Sequence, residues 1–130
     1  MNKSYFETCF IPSFDAKDVP VHCFIITACN PMDQLLSADE NRLRNHNLLA
    51  KIKEIGTLAL PIIGCSRDLS HQEPSFLIDS NKTQAIQWAH EFDQRAIFEI
   101  KNKELFILPC DQIGKPISIG FFIDRWIEPF

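Results

Sequence analysis

The stretch "HCFIITACNPMDQLLSADENRLRNHNLLAKIKEIG", His22 to Gly56, decides the fold. Its opening, "HCFIITACN", is a nearly unbroken apolar run rich in β-branched and aromatic residues, the pattern of a central strand covered on both faces. Asn30-Pro31 breaks the strand, and Ser37 stands three residues before Glu40 as a capping box that opens a helix. Gly56 supplies the C-terminal stop.

Working outward, "TLALPIIGC" and "PSFLIDS" read as two further strands on either side of a polar loop. "SNKTQAIQWAHEF" reads as a second helix capped by Ser80 or Asn81, with Ala85, Ala89 and Phe92 facing inward and Ile86 and Trp88 at the edges. "AIFEIKN" and "KELFILPC" alternate like a hairpin turning at Asn102-Lys103, with Ala96, Phe98 and Ile100 on one side. Before the central strand, Tyr5 to Ile11 can hold a short strand. The tail "PISIGFFIDRWIEPF" is expected to dock on the body as a short strand or helical turn. The order is strand, helix, strand, strand, helix, strand, strand. It predicts an α+β protein: a ferredoxin-like βαββαβ sandwich with an extra C-terminal strand, its two helices on one face of a mostly antiparallel sheet. A mixed sheet with another strand order is the alternative.

A chain of 130 residues, 45% hydrophobic and 23% charged, fits one domain spanning 1–130 that needs no disulfide or metal staple. The net charge is -4 and the basic residues are scattered, so nucleic-acid binding is not expected. "MNKSYFETCF" lacks the apolar stretch of a secretory signal, and no apolar run has the length of a bilayer span. The expectation is a cytoplasmic protein without membrane association. Five cysteines form an odd set with no C-x-x-C pair, which suits small buried hydrophobes in a reducing compartment. Four scattered glycines provide no phosphate-cradling loop, and no cofactor is expected.

On the first helix, Leu48, Ile52 and Ile55 form a core stripe that meets Asn45 and then Asn41 toward the N-terminus. The inner face therefore turns from apolar to amide near Asn30-Pro31. Those amides, with the free N–H groups of the helix start, can line a pocket for a polar or anionic guest, or they can satisfy loop backbone groups.

The loop "GCSRDLSHQEPSF", Gly64 to Phe76, gathers further polar side chains. In an extended "SHQEP", His71 and Glu73 point to the same side, so Glu73 could orient the imidazole for proton transfer. Asp68 and Cys65 add two more potential ligands, but no zinc-type spacing is present and no metal is expected. Cys29 and Cys65 lie among apolar strand residues, which raises a thiol pKa, and no G-x-S-x-G elbow exists. The catalytic residues, if there are any, stay unassigned. Two readings stand: a solvated connection between strands, or a polar site shared with Asn30 and Asn41.

"IITACNP", "LSADENRLRN", "SHQEPSFLI", "DQRAIFEI" and "ELFILPC", in this order and spacing, resemble the bacterial domain-of-unknown-function 3293 family over most of the chain. The resemblance implies no activity. It implies shared positions at Asn30, Pro31, Ser37, Asn41, Arg42, His71, Glu73, Pro74 and Gln94. Cys29 stands where relatives carry an aromatic residue, and Asp93-Gln94 where they carry Gly-Gln.

Three functions fit these residues. The first is a binding or regulatory domain that holds a polar small molecule through Asn30, Asn41, Arg42, His71, Glu73 and Gln94. The second is a hydrolase or transferase with His71 as general base, Glu73 orienting it, and Asn30 or Arg42 binding developing negative charge. The third is an interaction protein using the tail aromatics Phe121, Phe122, Trp126 and Phe130, and a free sheet edge also admits a homodimer.

Overall fold

The computed structural model describes residues 3–111 and 115–128. Seven strands form one sheet in the order β1-β3-β4-β2-β5-β6-β7, and every pairing is antiparallel. They are β1 (Cys9–Pro12), β2 (His22–Ile26), β3 (Ala59–Cys65), β4 (Gln72–Ile78), β5 (Ala96–Lys101), β6 (Glu104–Pro109) and β7 (Ile117–Phe121). Helix α1 (Ala38–Ile55) links β2 to β3, and α2 (Lys82–Glu91) links β4 to β5.

The local signals act as their chemistry dictates. Ser37 and Glu40 close a reciprocal capping box, Gly56 ends α1 at φ 76°, and Asn81 caps α2. Asn102 and Lys103 take left-handed conformations in the two-residue β5–β6 turn, where the primed turn type demands positive φ. Other expectations fail locally. Tyr5 lies in a 3-10 turn (Lys3–Glu7) rather than in a strand, Ile55 is exposed, and Trp88 is fully buried instead of at an edge.

The ferredoxin-like sandwich is overturned. Phe10 on β1 and Phe98 on β5 sit four strands apart, roughly 19 Å in a flat sheet. Their rings are 5.1 Å apart, centroid to centroid. The sheet is curled into a half-barrel, and its inner face holds a core of its own: Phe10, Ile25, Leu77, Phe98, Leu105 and Phe122, among others. The outer face is covered by Leu48 and Ile52 of α1 and by Ala85, Trp88 and Ala89 of α2. Each large apolar side chain so buried stabilises by about 1.5–3 kcal/mol.

The reason lies in β5, where Ala96 through Ile100 are all buried, alternately on the two faces. A two-layer sandwich leaves one sheet face to water. Here that face is apolar, with no second helix layer among the described residues to cover it, so the sheet covers it by curling. A bulge between Glu104 and Phe106 and Gly120 at φ 101° bend the β6–β7 ribbon. Phe122 can then turn inward. The tail completes the curl: Phe10 bridges Trp126, and Ile127 N–H donates to the Phe10 carbonyl at 2.8 Å. Phe122 and Trp126 are thus packed into the structure, Phe121 is exposed, and Phe130 lies outside the described residues.

Candidate functional site

Alternation along the strands turns Thr27, Glu73 and Ser75 toward the inside of the half-barrel, at the end where β2 finishes and β4 begins. They border a cavity of about 600 Å³ floored by Phe10, Ile25, Ala96 and Phe98. Its rim includes Tyr5, Asn30, Asp33, His71 and Gln94.

Glu73 is the centre of this arrangement. Its Oε2 accepts from Asn30 Nδ2 at 3.3 Å and lies 3.5 Å from His71 Nε2. Burial raises its carboxyl above the ordinary glutamate range, partly opposed by Asn30 and His71, while nearby Asp33 adds to the rise. The extended reading of "SHQEP" therefore brings His71 and Glu73 together.

Asn30 is held from behind. Its own N–H donates to Asn41 Oδ1 at 2.8 Å, and its Oδ1 accepts from Asn41 Nδ2 and from Leu36 N–H. The turn that follows contains three left-handed residues other than glycine: Asn30, Met32 and Asp33. Such conformations are uncommon for a residue like methionine. Met32 N–H donating to Asp93 O at 2.7 Å helps to hold them. Asp33 reaches the cavity with both oxygens engaged, by Tyr5 OH and Arg95 Nε, each at 3.0 Å. The Tyr5 hydroxyl is pushed well above its usual range by burial and by Asp33.

The remaining expected residues divide. Asn41 touches Asn30 rather than the cavity. Gln94 is buried at the rim, and its amide donates to the carbonyls of Cys29 and Phe92. Arg42 stands on the exposed side of α1 and pairs with Asp39, away from the cavity. Asn45 ties α1 to the sheet by accepting from Ala28 N–H and donating to the Pro74 carbonyl, both at 2.8 Å.

In the loop, Asp68 accepts from the hydroxyls of Ser66 and Ser70, which hold its carboxyl down at about 2. Those bonds make the loop compact, and Ser66, Arg67, Asp68 and His71 of it line the cavity. Among the described residues, no group of three His, Cys, Asp or Glu side chains is placed to hold a metal ion. Burial raises the Cys29 and Cys65 thiols above the ordinary range.

Tyr5, Thr27, Asp33 and Ser75 were not singled out from the sequence. Asp33, two residues after Asn30-Pro31, carried the one usable signal: polar residues beside a strand-breaking turn. Tyr5 reaches Asp33 across 28 positions, a contact without local trace.

The fold and the site together define an α+β half-barrel whose open end forms a cavity beside a half-buried carboxylate. The chain belongs to the family described as "Protein of unknown function (DUF3293)", whose model matches residues 26–97. That segment runs from the end of β2 into β5 and includes Asn30, His71, Glu73 and Gln94. It stops short of Glu104–Cys110, and β1, β6 and β7 lie outside it. No curated protein and no solved structure matches the chain. Among the described residues, no helix is long and apolar enough to cross a membrane.

Proposed function

We propose that this protein binds a small polar molecule in the open end of the half-barrel, with Glu73 as the anchoring group. The observation that carries this reading is a glutamate turned into an apolar-floored cavity, its carboxylate touched, among the described residues, by the longer contacts of Asn30 and His71. A few directed polar groups over an apolar floor are the usual composition of a ligand site. Asn30 and His71 orient the carboxylate, and Asn41 supports Asn30 from α1.

A thermal-shift screen of small metabolites against wild type and Glu73→Gln tests it. A ligand at a hundredfold excess over its dissociation constant stabilises the native state by about 2.7 kcal/mol. A compound that stabilises wild type and not the variant supports the site. Equal responses in both proteins would overturn it.

A second reading is favoured by the 3.5 Å approach of His71 Nε2 to Glu73 Oε2. A catalytic pair can stand at such a distance without substrate and tighten when it binds. In this reading His71 acts as general base with Glu73 orienting it. Turnover of a panel of activated esters and phosphoesters that disappears in both His71→Ala and Glu73→Gln would favour it, and turnover indifferent to both would exclude it.

A further inference from the structure

We infer that the ligand is a small organic cation: an ammonium or guanidinium group on an apolar body, with its charge against Glu73. This rests on the binding reading above and adds the class of molecule.

The lining combines an apolar floor with a polar rim that carries more acidic than basic groups. Phe10, Ile25, Ala96 and Phe98 make the floor, and the Tyr5 ring lies 6.2 Å from that of Phe98. The acidic lining groups are Glu7, Asp33, Asp68 and Glu73, and the basic ones are Arg67 and His71. Most of them are already engaged or lie in solvent. Asp33 is taken by Tyr5 and Arg95, Asp68 by two serines, and Glu7 and Arg67 are exposed.

Glu73 is different. It is removed from much of the solvent, and its contacts at 3.3 and 3.5 Å lie at the long end of the hydrogen-bonding range. A cation there would supply the short, charge-assisted bond that the carboxylate lacks, and the faces of Tyr5 and Phe98 would add attraction to positive charge. An anion would instead meet Glu73 and Asp33 together. The groups that face Glu73 are His71 from its own strand end, Asn30 and Asp33 from the turn after β2, Tyr5 from the first 3-10 turn, and Cys29. A cationic ligand favours ionised Glu73, so its binding strengthens as pH rises.

The test is a titration of the full chain, followed by amide NMR, with three probes that share one ring: benzylamine, benzyl alcohol and benzoate. In wild type at neutral pH, benzylamine should shift the amides of Thr27, Ser75 and Phe98. It should bind about tenfold more tightly than benzyl alcohol, the scale of one charge-assisted bond. Glu73→Gln, its spectrum otherwise preserved, should abolish that preference. If the variant does not fold, wild type at pH 4 gives the same comparison, and the preference should shrink there. If benzyl alcohol or benzoate shifts the same amides as strongly as benzylamine, the cation inference is wrong while the cavity remains a binding site. If none of the three shifts those amides, both inferences fall.

Discussion

Ile127 donates its backbone N–H to the carbonyl of Phe10 at 2.8 Å, so the last described turn of the chain is bonded to the first strand. Beside it the Arg125 guanidinium donates to the carbonyls of Phe6, Thr8 and Ile119. The Phe10 ring packs edge-on to both Phe98 and Phe122 beneath that seam. Phe10→Ala should therefore destabilise the fold by about 3–5 kcal/mol, the range for a truncated core phenylalanine. Phe121→Ala, at an exposed position, should change stability by about 0.5 kcal/mol or less. Urea unfolding of both variants makes the comparison, and similar losses would contradict the curled inner core.

Glu73 fixes a pH dependence whose sign follows from burial. Its folded-state carboxyl holds its proton to a higher pH than an unfolded glutamate does. The stability this gives is complete below the ordinary glutamate value, about 4.3, and is lost as pH rises through the folded value. Glu73→Gln should therefore melt higher than wild type at pH 8, and the gap should close toward pH 4. A gap that stays constant over this range would contradict the raised carboxyl.

Asn45 and Asn41 lie one turn apart on α1 and should behave differently. Removing the buried Asn45 amide leaves the Ala28 N–H without a partner and takes one donor from the Pro74 carbonyl, which keeps the Thr27 hydroxyl, so Asn45→Ala should cost about 1–3 kcal/mol. Asn41→Ala disturbs a half-exposed turn and should cost about 1 kcal/mol, while weakening any ligand held through Asn30. Equilibrium unfolding gives the first difference and ligand titration the second.

All five cysteines are free and buried, and burial pushes the Cys23 and Cys110 thiols up to about 12. A thiol-specific chromogenic reagent at pH 8 should label the native protein far more slowly than the urea-unfolded chain, which should yield five equivalents. Fast native labelling of one thiol would identify a site that opens locally.

What was readable beforehand is what neighbouring residues decide. The Ser37–Glu40 box, the Gly56 stop and the Asn102-Lys103 turn act over a few positions, and each lies where its chemistry puts it. Curvature is different, because it depends on Phe10, Phe98 and Phe122 meeting from three distant parts of the chain. The unbroken apolar run of β2 hinted that both sheet faces need cover, and the two-sided burial of β5 agrees with it. The site was half legible for the same reason. His71 and Glu73 are two apart and share a side, whereas Asp33 and Arg95 meet across the neighbouring ends of β2 and β5, and Tyr5 joins them from before β1. Arg42 stands on the solvent side of α1, paired with Asp39 and away from the cavity.

The seam between Phe10 and the tail also orders events during folding. Arg125 bonds to Phe6 and Thr8 across 119 and 117 positions, and closing a loop that long costs on the order of 4 kcal/mol of chain entropy before any contact repays it. Late closure follows, and proteins dominated by such distant pairings fold slowly. While the chain is being synthesised, β1 can pair with β3, yet the inner core stays open along one side until Phe122, Arg125 and Trp126 have emerged. A ribosome stalled before that point should present an unfinished apolar trough, the kind of surface that chaperones hold.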